Sequence, residues 1–239
     1  MFSSDLLSGE IFMPDLDFII HTKKDLISAV NRFGFLPFFN NPIEGFSVEE
    51  HCEDDVWYQE DGSWKVWEWK GPVIRECGIA YGKFFGGKAA FVSRKWFPDF
   101  ANYRRDGYDF EGRYEDGLVS HRDMELYELI NENAPISSRA LKNIGNYRKG
   151  GKKGFETIIT RLQSQCYVLV SDFTYARNKN GDEYGWGIAE YSTPEKFFGE
   201  EFCNTFYARE VEESYKKILR HIHRLFPDED EDVIRKMLG

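Results

Sequence analysis

The sequence predicts an α+β protein: a winged helix-turn-helix with an aromatic-rich N-terminal α/β extension and C-terminal helices. Three observations lead there. Three segments with helical hydrophobic spacing follow one another between Asp123 and Leu162, the spacing switches to the strand period at Cys166, and Asn180-Gly181 separates two strand-like runs. Three helices closed by a hairpin through short connections have few alternative packings. The expected boundaries are an aromatic-rich region over 1–118, a winged helix over 119–195 and a helical segment over 196–239.

In chain order, Met1–His21 is apolar but broken by Gly9 and Pro14, and reads as a strand-like arm. Thr22 with Asp25 forms an acidic capping box, Leu26, Ile27, Val30 and Phe33 supply an apolar face, and Gly34 ends the helix. Gly34–Pro42 (GFLPFFNNP) reads as a core plug. Ser47–Lys70 mixes acids with Trp57, Trp64, Trp67 and Trp69. Trp67-Glu68-Trp69 alternates like a strand, with both indoles on one face and the carboxylate on the other. Pro72–Pro98 interleaves aromatic and basic residues.

The central unit begins with Asp123–Asn133, where Met124, Tyr127, Leu129 and Ile130 share a side. Ala134-Pro135 breaks this helix, and Ser137 or Ser138 caps a short second one that carries Leu141 and Ile144 and stops near Gly145. The connector Asn146–Gly154 (NYRKGGKKG) leads to Phe155–Leu162, with Phe155, Ile158, Ile159 and Leu162 at helical spacing. Cys166–Phe173 and Tyr184–Tyr191 are the two strands of the wing. Beyond Pro194, Val211, Tyr215, Ile218, Leu219, Ile222 and Leu225 line one face of a long helix, and Val233–Leu238 forms a closing one behind the acidic run Asp228–Asp232. His221 and His223 lie two apart on that helix, the wrong spacing for joint metal ligation.

Charge gives the first functional direction. The chain of 239 residues carries a formal net charge of −10, which argues against coating nucleic acid non-specifically. Against that background, Arg139, Lys142, Arg148, Lys149, Lys152, Lys153 and Arg161 cluster around the connector with a single acid, Glu156. In a winged helix the third helix enters the major groove, while the loop before it and the wing meet phosphates. The expected phosphate contacts are therefore Arg148, Lys149, Lys152, Lys153 and Arg161, joined by Arg177 and Lys179 on the wing, and the expected partner is double-stranded DNA. A solvated loop, or a winged helix that binds a protein partner or a second copy of the chain, is the alternative.

Cys52, Cys77, Cys166 and Cys203 are widely spaced, suggesting reduced thiols rather than a zinc ribbon or disulfide framework. No cofactor or metal is expected. Neither a leader nor a run of about twenty apolar residues is evident, so no membrane partner and a cytoplasmic location are expected.

The W-x-W at Trp67–Trp69, YGKFF at Tyr81–Phe85, GKAAFVSRKWFPDF at Gly87–Phe100, the segment Ile159–Gln165 and YGWGIAEYSTPE at Tyr184–Glu195 carry a resemblance. Over roughly Asp25 to Gly199 the chain resembles small bacterial proteins described as AlkZ-related. The resemblance ties it to winged-helix DNA glycosylases that excise alkylated or crosslinked bases using a Q-x-Q or Q-x-D motif. Its one Q-x-Q match is Gln163-Ser164-Gln165, which implies Gln163 and Gln165 as catalytic candidates holding a water at the sugar, in a pocket lined by tryptophans. On a continuous helix the two glutamines would point about 200° apart, so only a helix-to-strand junction lets them cooperate. The resembled enzymes carry a tandem winged-helix array, whereas this sequence offers one.

Overall fold

The computed structural model describes residues 18–57, 65–181 and 183–239. It is an α+β protein whose buried apolar side chains, from Ile20 to Leu238, belong to one contiguous cluster. Most of the N-terminal arm, and Trp64 of the tryptophan-rich stretch, lie outside the described residues.

Helix α1 (Lys23–Phe33) is capped as its sequence requires: the Asp25 amide donates to Thr22 Oγ1 and the Thr22 amide donates to the Asp25 carboxylate. Gly34 ends it at φ 77°, where an added Cβ would sit 2.4 Å from the Trp96 ring. The following segment is core, with β1 (Phe35–Pro37) pairing antiparallel to β3 (Lys88–Val92), and β3 to β2 (Ala80–Phe85). After the short helix α2 (Asp54–Trp57), the expected strand at Trp67–Trp69 is instead part of helix α3 (Lys65–Cys77). There Trp67 and Trp69 diverge, and Trp67 packs on Phe38, Phe39 and Trp57.

Helices α4 (Phe97–Arg105) and α5 (Phe110–Glu115) lead to α6 (His121–Asn133), which starts two residues before the expected point because Ser120 and Asp123 form a second capping box. Strand β4 (Ile136–Ser137), helix α7 (Ser138–Ile144) capped by Ser137, and helix α8 (Phe155–Ser164) follow. Strands β5 (Leu169–Arg177) and β6 (Glu183–Ser192) then form an antiparallel hairpin, and the second sheet runs β4-β6-β5. Gln165 caps α8 and Cys166 turns the chain at φ 60°, so β5 begins at Leu169 rather than at Cys166.

Short helices α9 (Pro194–Phe198) and α10 (Glu200–Asn204) precede α11 (Val211–Leu225) and α12 (Glu231–Leu238). Ile218, Ile222 and Leu225 of α11 are buried as their spacing requires. His221 donates from Nε2 to the Phe33 carbonyl at 2.8 Å and stacks on Trp96; burial lowers its pKa. The central unit is tied to the N-terminal half by Arg105. Its guanidinium is buried, meets Glu195 at 2.9 Å, donates to the Cys166 carbonyl and lies over the Tyr167 ring.

Candidate nucleic-acid interface and adjoining clefts

Phe155, Ile158, Ile159 and Leu162 turn one side of α8 into the core, and the next position round, Gln163, is 1% exposed. Its Nε2 donates to the Ile159 carbonyl at 3.1 Å, and its Oε1 accepts from the Lys83 amide of β2 at 3.1 Å. Ser164 reinforces this contact by donating to the Lys83 carbonyl. Both ends of the Gln163 amide are thus engaged in fixing α8 to β2. The structure does not bring Gln163 and Gln165 together, because the helix runs through Ser164 and only Gln165 occupies the junction.

Gln165 lines an open cleft of about 880 Å³, with Thr157, Thr160 and Arg161 of α8 on its side and Arg104 and Asp106 opposite. None of the cleft's described lining residues is a tryptophan, contrary to the sequence expectation. Arg104 is held by carbonyl oxygens, donating to Ser164 at 2.7 Å, to Phe84 at 2.6 Å and to Leu238. The outward side of α8 is therefore one wall of a cleft.

The basic cluster divides in two. Arg161 meets Asp123, the buried carboxylate that caps α6, at 2.5 Å; Lys142 meets Glu156 at 2.7 Å; and Lys152 is paired with Glu125. These cations have local carboxylate partners, including Lys152 and Arg161, which the sequence places among the candidate phosphate contacts. Arg148, Lys149 and Lys153 are exposed. The connector that carries them is a closed turn: the Lys152 amide donates to the Asn146 carbonyl at 2.6 Å, and the Gly151 amide donates to the Arg148 carbonyl. A Cβ at Gly151 would stand 2.1 Å from the Asn146 oxygen, so only glycine fits there. Arg177 and Lys179 are exposed at the other end of the unit, where β5 runs into the hairpin loop.

A second cleft, of about 420 Å³, opens between α3 and the hairpin, and sequence reasoning missed it. Trp67, Lys70, Phe173, Tyr175 and Trp186 line it, with the Trp186 indole 68% exposed. Lys70 is 7% exposed, with Nζ 4.5 Å from the ring centroids of both Trp67 and Phe173, and the rings of Phe38 and Tyr81 also within 6 Å. Burial lowers its pKa to about 8. Gly71 lets α3 approach β5 this closely, since a Cβ there would meet Asp172 Oδ1 at 2.8 Å. The overlooked signal is a spacing: Trp67 and Lys70 are three apart, which on a helix is one face.

A family model described as AlkZ related matches residues 20–239. The chain belongs to the AlkZ-related family. No curated protein and no solved structure matches it. Membership associates the chain with DNA repair, and within this AlkZ-related protein the match spans both clefts and both basic edges. Among the described residues, no group of three His, Cys, Asp or Glu side chains is placed to hold a metal ion, and no helix is long and apolar enough to cross a membrane.

Proposed function

We propose that this AlkZ-related protein is a duplex-DNA-binding module in which α6, α7, α8 and the β5–β6 hairpin act as a winged helix. The observation that carries the reading is the pair of exposed basic edges on that unit. Arg148, Lys149 and Lys153 precede α8, and Arg177 and Lys179 sit at the end of the hairpin, on a chain of net charge −10. Those are the two loops that a winged helix lays along phosphates. Lys142, Lys152 and Arg161 meet Glu156, Glu125 and Asp123 within the same unit.

The test is the triple change Arg148→Gln, Lys149→Gln and Lys153→Gln, with duplex binding followed by fluorescence anisotropy across a salt series. Loss of three phosphate contacts lowers affinity and flattens the log–log salt slope by about 2.7, at about 0.9 per phosphate. Unchanged binding by the triple variant, or a parent that binds no duplex, overturns the reading and directs attention to a protein partner.

A second reading, base excision, is favoured by one observation: Gln165 faces the cleft of about 880 Å³ beside α8. One neutral glutamine there can hold a water against the sugar of an extruded nucleotide, with Gln163 serving to fix the helix. Gln165→Ala should then reduce release of base from alkylated or crosslinked duplex while leaving duplex affinity nearly unchanged. A parent protein that binds such duplexes and releases nothing ends this reading and leaves the first.

A further inference from the structure

A lysine ammonium taken out of water ordinarily has a carboxylate beside it. Lys70 has aromatic rings. Its Nζ is bracketed by Trp67 and Phe173, with Phe38 and Tyr81 behind, and it lines a cleft at whose mouth Trp186 stands exposed. The nearby acid on β5, Asp172, is already paired with Arg75. Other titratable groups around the site are Glu68 and Tyr175, which line the same cleft, and Tyr81, whose pKa is raised by burial. Burial is the cause of the lowered pKa of Lys70, so its neutral form is reached more readily than that of an exposed lysine.

From this geometry we infer that Lys70 is an amine nucleophile that captures an aldehyde entering the cleft between α3 and the hairpin. The favoured source is the ring-opened deoxyribose of an abasic site, an assignment that rests on the DNA reading above. Trp186 and Trp67 present indole surface on which a neighbouring base can stack, and Arg177 and Lys179 follow Tyr175 along the hairpin toward its tip. The reaction balances without a further reagent. The Nζ lone pair forms a bond to the aldehyde carbon while the C=O π pair moves to oxygen and takes up a proton. The carbinolamine then loses that oxygen as water, leaving a C=N bond to Nζ.

Near pH 7.5 a lysine with a pKa of about 8 has a neutral fraction on the order of a hundredfold above that of an ordinary exposed lysine. The 239-residue protein is treated with cyanoborohydride and either propanal or a duplex carrying one abasic site, and adducts are located by peptide mass mapping. The expected result is an adduct at Lys70 with both probes, formed ahead of adducts at exposed lysines and abolished in Lys70→Met. Trp186→Ala should weaken trapping of the duplex more than that of propanal, because only the duplex offers a base to stack on the indole. Because methionine fits the same space, a melting curve for Lys70→Met separates lost reactivity from lost fold.

Propanal adducts confined to exposed lysines would overturn the inference whatever the DNA result. Trapping of propanal at Lys70, with no trapping of an abasic duplex that binds, would overturn the sugar assignment. Absence of duplex binding would count against the DNA reading and with it the sugar assignment, while the propanal arm would still decide the reactivity of Lys70.

Discussion

Replacing Lys70 by methionine should stabilise the protein at neutral pH. The side chain is 7% exposed, and its pKa falls from 10.5 to about 8 on folding. That difference corresponds to about 3 kcal/mol against folding with the ammonium intact. The Trp67 and Phe173 rings at 4.5 Å return about 1–2 kcal/mol through cation–π attraction. Methionine keeps most of the stem, removes the charge and packs well against aromatic rings. A net gain of about 1–3 kcal/mol follows. The sign of the pH dependence follows from the same shift: with the folded pKa depressed, stability is full above the unfolded value of 10.5 and is lost as pH falls through about 8. Urea denaturation of both proteins at pH 7 and pH 10 isolates this group, because other titrating residues are common to the two. The advantage of Lys70→Met should shrink at pH 10. A variant clearly less stable than the parent at pH 7, or a gap independent of pH, would refute the desolvation argument.

Ile158 is 4% exposed on the core side of α8, so Ile158→Asp should unfold the central unit, whereas Arg177→Ala on the exposed hairpin should leave circular dichroism and melting nearly unchanged. Gln163→Ala should cost about 1–3 kcal/mol, because the Lys83 amide loses its acceptor; Gln165→Ala at the cleft should cost far less, and thermal melting of the two variants orders them. The Arg148, Lys149 and Lys153 triple variant belongs with these as a fold control: its melting temperature should match the parent's, so that its weaker duplex binding reports phosphate contacts alone.

Much of the architecture was legible because its signals are local. Thr22 with Asp25, Gly34 after Phe33, and Ser137 ahead of α7 act within one helical turn and appear where expected. The period-2 tryptophans misled, since Trp67-Glu68-Trp69 satisfies strand alternation while the wider frame from Trp67 to Lys70 and Ile74 is helical. The candidate phosphate contacts were harder still. Lys152 and Glu125 are 27 residues apart and Arg161 and Asp123 are 38 apart, so the sequence does not mark which members of the basic cluster meet a carboxylate. The same holds for the two glutamines, because Gln163 is claimed by a strand 80 residues upstream.

The two exposed basic edges also bear on how a chain of net charge −10 could hold a polyanion. At long range the protein repels DNA, and electrostatic steering of the kind seen with basic domains is absent. At near-physiological salt, however, charges more than about 8 Å apart are largely screened from one another, so each phosphate responds to the side chains it meets rather than to the total. On the proposed reading, two short edges of exposed cations supply the contact, whereas the acids distributed elsewhere oppose non-specific coating. Lowering the salt lengthens the range of both effects and restores the repulsion. The slope that counts phosphate contacts is therefore the one measured around and above physiological salt, where the local edges act alone.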